Sequence, residues 1–108
     1  MAFRRRGVEV SVDTTGPAEF DLALYEVPAE AVTLIERSLS ELPLGGDDVP
    51  HGPVLRRELG DWWAYFLITE QGGDIIVLLV RVVPKATPAP SVRDIVDLVA
   101  TLRGASGV

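Results

Sequence analysis

A run of six apolar residues at positions 75–80 (IIVLLV) is the feature that most constrains how this chain folds. A helix needs about 20 apolar residues to cross a bilayer, so the run is far too short to be a membrane helix. No polar residue alternates with the apolar ones, which is typical of a strand covered on both faces. We therefore expect a sheet with this strand near its centre.

Two further strands are predicted directly before this run. Residues 54–58 have the pattern of a short strand, Gly60 and Asp61 that of a tight turn, and residues 62–69 that of a second strand. Residues 70–74 then form a hairpin loop, and the third strand extends over 75–83. These segments predict a three-stranded antiparallel meander.

The first half of the chain predicts one strand and two helices. Residues 8–13 (VEVSVD) alternate apolar and polar side chains, as a half-buried strand does. Helical spacing follows over 18–26, and Pro28 separates this helix from a second one at 29–42, because proline cannot donate the hydrogen bond of a continuing helix. The apolar positions that predict the buried faces are Phe20, Leu24 and Val27, then Val32, Ile35, Leu39 and Leu42.

Proline and glycine mark the connections. Residues 43–53 contain so many turn formers that we expect a loop. Residues 87–90 form a stiff proline-rich connector to a C-terminal helix at 91–104, with Ser91 as its cap. The apolar stripe of that helix is Val92, Ile95, Val96, Val99 and Leu102. The order predicts a single α+β domain over 1–108: an N-terminal strand, two helices, the antiparallel meander, and a C-terminal helix packed on the sheet.

Charge and cysteine content exclude several classes of function. The formal net charge is -6, and residues 11–50 hold nine acids against Arg37 alone, which disfavours broad electrostatic binding to nucleic acid. The Arg4, Arg5 and Arg6 cluster either contacts nucleic acid or is an unanchored basic terminus, the commoner case. The chain has no cysteine, which excludes disulfides, thiolate metal sites and cysteine nucleophiles. No signal peptide is visible, so we expect a cytoplasmic protein without membrane contact.

Three segments, taken in order, resemble a known family. They are residues 35–46 (IERSLSELPLGG), 55–61 (LRRELGD) and 75–80 (IIVLLV). Their order and spacing resemble the RelE/ParE superfamily of bacterial toxin–antitoxin toxins over residues 8–83. The resemblance implies a small toxin that acts on ribosome-bound mRNA or on DNA gyrase, and that an antitoxin neutralises.

The resemblance also implies catalytic residues. RNA-cleaving members use basic side chains of the sheet to stabilise the phosphate, and a late aromatic residue or histidine for proton transfer. Arg56 and Arg57 match the basic pair that precedes the Gly-Asp turn. Trp62 and Trp63 stand where the pattern has its next arginine, and near residues 82–85, where its closing motif falls, only Lys85 is basic.

Arg81 is the third candidate, because it interrupts an apolar strand and a buried arginine must be paired or reach an edge. If it shares a sheet face with Arg56 or Arg57, the interpretation as a phosphate site is strengthened. Phosphate-ester cleavage needs positive charge where the transition state develops negative charge. Arg56, Arg57 and Arg81 are thus the candidate catalytic set for an endoribonuclease of the mRNA-interferase type. Whether the chain is an enzyme is left open.

The aromatic strand supports an alternative without catalysis. Alternation puts Trp62, Ala64 and Phe66 on one face and Trp63, Tyr65 and Leu67 on the other. One set forms core; the other is covered by the terminal helix or is a binding surface, since Trp and Tyr dominate interface hot spots. Trp62, Trp63 and Tyr65 are therefore candidate partner-binding residues, for an antitoxin, another protein or a second copy of the chain.

No cofactor or metal is predicted. The two Gly-Gly pairs lack the lysine and Ser/Thr of a phosphate-binding loop. His51 lies near Asp47 and Asp48, so a metal site or an acid–base pair is one interpretation. We favour the other one, a solvent-exposed loop histidine.

Overall fold

A computed structural model describes residues 2–5, 8–41 and 48–105. These residues form, in order, β1 (Ala2–Arg5), β2 (Val8–Thr14), α1 (Gly16–Leu24), α2 (Ala29–Glu41), β3 (Val49–His51), β4 (Val54–Leu59), β5 (Trp62–Gln71), β6 (Asp74–Pro84) and α3 (Val92–Ala105). The α+β class, the two helices after the first strand and the C-terminal helix are all confirmed. The predicted end of the second helix at Leu42 lies outside the described residues.

One sheet organises the molecule. Its strands lie in the order β1-β2-β6-β5-β4-β3 within the described part of the chain. The strands β4, β5 and β6 form the predicted antiparallel meander. β2 pairs with β6 in parallel, and all the other described pairs are antiparallel. The run at 75–80 therefore lies in the central strand, as its unbroken apolar character indicates.

Two strands of this sheet were not predicted. β3 falls in the segment 43–53, for which we expected a loop, and it pairs with β4 through Val49 opposite Arg56 and His51 opposite Val54. Its Pro50 is tolerated because β3 is an edge strand, where a missing N–H costs no ladder bond. β1 pairs with β2, so Arg4 and Arg5 belong to an edge strand and the expected unanchored terminus is wrong for them. Arg6 lies outside the described residues.

The sheet separates two hydrophobic cores. Beneath α1 and α2, the first core contains Val12, Ile35, Leu39, Phe66 and Val77 among others. Beneath α3, the second contains Tyr65, Val80, Val83, Ile95 and Val99 together with Val54. Both faces of the central strand are thus covered by helices, which is the condition for a strand with no polar alternation.

α3 confirms the predicted helix with one change in its buried face. The Asp94 N–H donates to Ser91 Oγ at 3.0 Å, which is the cap that the sequence predicts. Ile95 and Val99 are buried against the sheet. Val92 and Val96 are exposed instead, whereas Leu98, which the predicted stripe did not include, packs against the second core together with Leu102.

α1 buries a different face from the one its apolar spacing predicts. Ala18 and Asp21 are buried, whereas Phe20 is 67% exposed and Leu24 57% exposed. The reason is position: α1 follows directly on β2 and lies along the part of β6 that extends beyond β2. A small side chain and a carboxylate fit against that strand edge, Leu22 packs against the first core, and Phe20 and Leu24 point outward.

Candidate functional site

A β-bulge in β6 decides where Arg81 lies. Phe66 pairs with Leu79 and Tyr65 pairs with Arg81, so Val80 is an extra residue in the ladder. Strict alternation from Val77 and Leu79 would place Arg81 under α1 and α2. The bulge instead puts Arg81 opposite Tyr65, on the face that α3 covers.

Asp21 of α1 holds Arg81. Arg81 Nε donates to Asp21 Oδ2 at 2.6 Å and Arg81 Nη2 to Asp21 Oδ1 at 3.2 Å. The Val82 N–H also donates to Asp21 Oδ2, at 3.0 Å. Because β2 stops pairing with β6 at Thr14 and Leu79, this carboxylate replaces the acceptor that a neighbouring strand would have supplied.

The charge on Arg81 is stabilised by this pairing. Burial by itself lowers the pKa of Arg81, but the hydrogen bonds and negative charge of Asp21 outweigh burial, and the pKa is raised above its ordinary value. The Arg81 side chain is 26% exposed and that of Asp21 is 2% exposed. Arg81 is therefore a permanently charged group whose charge is neutralised within the chain.

Arg56 lies on the same face as Arg81. It pairs with Tyr65, so Arg56, Tyr65 and Arg81 form one row across β4, β5 and β6. The guanidinium carbon of Arg56 is 4.4 Å from the centroid of the Trp63 ring, a cation–π contact. Arg56 Nε and the Tyr65 hydroxyl are both buried without a hydrogen-bond partner in the structure described.

Arg57 lies on the opposite face and is fully engaged. It pairs with Ala64, beneath α2. Arg57 Nε and Nη2 donate to the two carboxylate oxygens of Asp48 at 2.6 and 2.7 Å, and Nη1 donates to the Ser38 carbonyl at 2.9 Å. The residue is 7% exposed. Of the three candidate arginines, the structure thus brings Arg56 and Arg81 together and separates Arg57 from both.

The aromatic candidates follow the predicted alternation. Trp62 packs against the first core and Trp63 against the second, each half-buried. Tyr65 is completely buried, because α3 covers its face of the sheet. Tyr65 therefore offers no surface to a partner in this conformation, which corrects its prediction as a partner-binding residue; Trp62 and Trp63 keep partial exposure.

His51 is not the exposed loop residue that we expected. It belongs to β3, and its Nε2 lies 2.6 Å from the Pro90 carbonyl oxygen, a distance at which Nε2 must donate. The His51 ring also meets the Tyr65 ring edge-on, with 5.3 Å between centroids. His51 thus attaches the proline-rich connector to the sheet. No group of three or more metal-ligating side chains is found within the residues described.

Two carboxylates that pair with the candidate arginines were not identified by the sequence analysis. Asp21 and Asp48 are the partners of Arg81 and Arg57, but they lie 60 and 9 positions away in the chain. The one signal that pointed toward a partner was Arg81 itself, since an arginine inside an apolar strand needs a counter-charge. Spacing alone does not identify which acid supplies it.

A cavity of about 450 Å³ lies near the C-terminal end of α3, where Arg103 is part of its lining. Its apolar lining includes Leu67, Leu78 and Leu102, and its polar lining includes Asp13 and Thr15. Arg56, Arg57 and Arg81 do not line it. Among the helices described, none combines the length and apolar content needed to span a membrane.

No protein-family model matches this chain, and no curated protein matches it. A solved structure does. One chain of the crystal structure of the toxin–antitoxin complex RelBE2 from Mycobacterium tuberculosis superposes with a TM-score of 0.55 at 22% sequence identity, over 68% of this chain and 95% of that one. At this level of identity the likeness concerns the fold: the chain shares the fold of that chain of the toxin–antitoxin complex.

Proposed function

We propose that this chain is a toxin-like protein that works through contact with a partner protein, in the first instance an antitoxin. The fold supports this, and so does the origin of the matched chain in a toxin–antitoxin complex. The expected compartment is the cytoplasm. Partner contact, rather than RNA cleavage, is the role that suits the conformation described.

One observation carries this choice: the arginines needed for catalysis are already committed within the chain. Arg57 is paired with Asp48, Arg81 with Asp21, and Arg56 stacks on Trp63. Removing one partner of a buried ion pair costs about 3–5 kcal/mol. A single positioned hydrogen-bond donor in an active site lowers the activation free energy by about 2.7–4 kcal/mol. Freeing Arg57 or Arg81 from its ion pair would therefore consume as much free energy as that arginine could supply.

RNA cleavage is the second candidate, favoured by one specific arrangement. Arg56 and Arg81 flank Tyr65 in a single row, on one face of the sheet. Two positive side chains beside a tyrosine hydroxyl are groups that phosphate-ester cleavage can use. Tyr65 is buried beneath α3, however, so this chemistry requires α3 to leave the sheet.

Induction in a bacterium separates the two candidates. Growth and mRNA integrity are followed after induction of the wild-type chain and of Arg56→Ala, with Arg37→Ala as the control, because Arg37 is an exposed arginine outside the row. Partner contact predicts intact messages with every variant. Messages that are cut by wild type and Arg37→Ala but spared by Arg56→Ala would overturn that proposal and establish RNA cleavage.

The partner itself is sought by co-expression with the product of a short neighbouring reading frame. Size-exclusion chromatography with light scattering should then show a heterocomplex, or a homodimer if the chain pairs with itself. A strict monomer that forms no complex with that product would refute the proposed function.

A further inference from the structure

A groove between α1 and α3 brings together apolar side chains and the two exposed carboxylates of Asp94 and Asp97. It has a volume of about 400 Å³, and its floor is the Arg81–Asp21 pair. One wall is α1, through Phe20 and Leu24, and the other is α3, through Leu98, Asp94 and Asp97. Helices from opposite ends of the chain therefore form one continuous surface.

Two apolar side chains of the groove are exposed to an unusual degree. Phe20 and Leu24 are one helical turn apart, so their side chains lie on the same ridge of α1. Both are more than half exposed, although they are among the largest apolar residues in the helix. Single exposed apolar residues need no explanation, but a contiguous pair that faces a third one, Leu98, is the composition of a binding surface.

The charge of the groove is negative. Among the described residues that line it, Arg81 alone is basic, and Asp21 already neutralises its charge. Asp94 and Asp97 are exposed on the rim. Helix α1 also carries an exposed acid, Glu19. The segment 11–50 as a whole has eight more acids than bases. A ligand that fits this surface must therefore present apolar side chains to the floor and positive charge to the rim.

We infer that the groove between α1 and α3 binds a basic amphipathic helical segment of a partner protein. Its apolar residues contact Phe20, Leu24 and Leu98, and its lysines or arginines face Asp94 and Asp97. This is the helix-in-groove mode of recognition, in which anchors at helical spacing insert between two helices. The inference deepens the proposed function and rests on it, because it names where and by what chemistry a partner is held.

The test uses the full-length protein and synthetic peptides of about 16 residues, long enough to form a helix. The probe has leucines and a phenylalanine on one face and lysines on the other. A second peptide carries glutamates in place of the lysines, and a third is a scrambled version of the probe. Binding is measured by fluorescence anisotropy at low and at physiological salt. The probe should bind, its affinity should fall with salt, and the other two should bind at least tenfold more weakly.

Matched variants locate the site. Phe20→Ser with Leu24→Ser should weaken probe binding about tenfold or more, since buried aromatic and aliphatic anchors carry most of the energy of an interface. Asp94→Asn with Asp97→Asn should weaken it severalfold and reduce its salt dependence. Leu34→Ser is the apolar control and Glu30→Gln with Glu41→Gln the charge control, because all three residues are exposed on α2. Circular dichroism checks the fold of each variant.

Failure of the probe to bind, equal binding of the glutamate peptide, or equal weakening by the control variants would overturn the inference. The same variants are also tested for the partner complex proposed above. If that complex forms equally well with the groove variants, the groove is not the binding site and the proposed function still stands. If the probe binds in the groove but no partner complex forms, the proposed function fails and the groove assignment stands.

Discussion

Buried arginine–carboxylate pairs tie distant segments of this chain together at the scale of single residues. Arg57 connects β4 to Asp48 and to the end of α2, and Arg81 connects β6 to Asp21 of α1. A buried charge is tolerated only where a counter-charge and hydrogen bonds replace water. The sequence identified all three arginines as candidate site residues, but the identity of each counter-charge depends on contacts that only folding creates.

We expect Asp21→Ala to lower the free energy of unfolding by about 2–4 kcal/mol, because it leaves both Arg81 and the Val82 N–H without their acceptor. Asp21→Asn keeps an oxygen for that N–H and should cost less. Urea unfolding measures both, and Glu19→Ala, an exposed acid in the same helix, should leave the midpoint nearly unchanged. Equal midpoints for Asp21→Ala and wild type would contradict the role given to Asp21.

Neighbouring arginines should behave differently when truncated. Arg57→Ala breaks a buried pair and should cost about 3–5 kcal/mol. Arg56→Ala loses a stacking contact on Trp63 and should cost about 0.5–1 kcal/mol. Denaturant unfolding of the two variants makes the comparison.

A double substitution tests whether the ion pair between Arg57 and Asp48 stabilises the fold. If the pair with Asp48 is what stabilises the fold, Arg57→Ala combined with Asp48→Ala should cost clearly less than the two single changes added together. Additive losses, or a larger loss for Arg56→Ala than for Arg57→Ala, would show that the pairing is not the source of stability.

At the scale of elements, local sequence pattern predicts most strands and helices. Irregularities such as a β-bulge decide on which face of the sheet their side chains lie. The helices, the meander and the cap of α3 follow from spacing and turn residues. The bulge at Val80 does not, because Val80 simply continues the apolar run at 75–80 and only the register with β5 reveals it. β3 was missed for a related reason: its turn formers suit a loop, but pairing with β4 makes it an edge strand.

Gly52, in the turn between β3 and β4, should be more sensitive to substitution than Gly60 in the next turn. Both have a φ near +60°, which favours glycine, so alanine at either position is strained by about 1 kcal/mol. Only at Gly52 would the added Cβ also meet a neighbour, at 2.8 Å from Val92 Cγ1 of α3. Thermal unfolding should therefore show a larger loss for Gly52→Ala than for Gly60→Ala.

Val92 provides the check on that explanation. Adding Val92→Ala to Gly52→Ala should remove the additional loss of thermal stability at Gly52. The remaining loss should equal that of Gly60→Ala, which comes from backbone strain alone. A Gly52→Ala defect that persists in full without the valine side chain would contradict steric contact as its cause.

At the scale of the whole molecule, one sheet holds two cores that share the strands β5 and β6. Trp62 packs into the core under α1 and α2, and Trp63 into the core under α3. Because both cores use the same strands, we expect them to unfold together. Single domains of this size usually unfold in one cooperative transition.

The two tryptophans allow this cooperativity to be measured. In Trp63→Phe, fluorescence reports on the first core, and in Trp62→Phe it reports on the second. Each fluorescence transition in urea should coincide with the circular dichroism transition of the same variant. An earlier transition in Trp62→Phe would show instead that α3 detaches first, and would favour the RNA-cleavage candidate, which needs the α3 face uncovered.

The sequence by itself determined the class of this protein and the order of its three helices and of the strands β2, β4, β5 and β6. These features follow from local properties: the hydrophobic period, the positions of proline and glycine, and the unbroken run at 75–80. Local properties of this kind favour a helix, a strand or a turn independently of tertiary contacts. Tertiary structure alone decided which side chains meet. The bulge in β6, the exposure of Phe20 and Leu24, and the pairing of Arg81 with Asp21 all arise from packing between segments far apart in the chain, which no local pattern encodes.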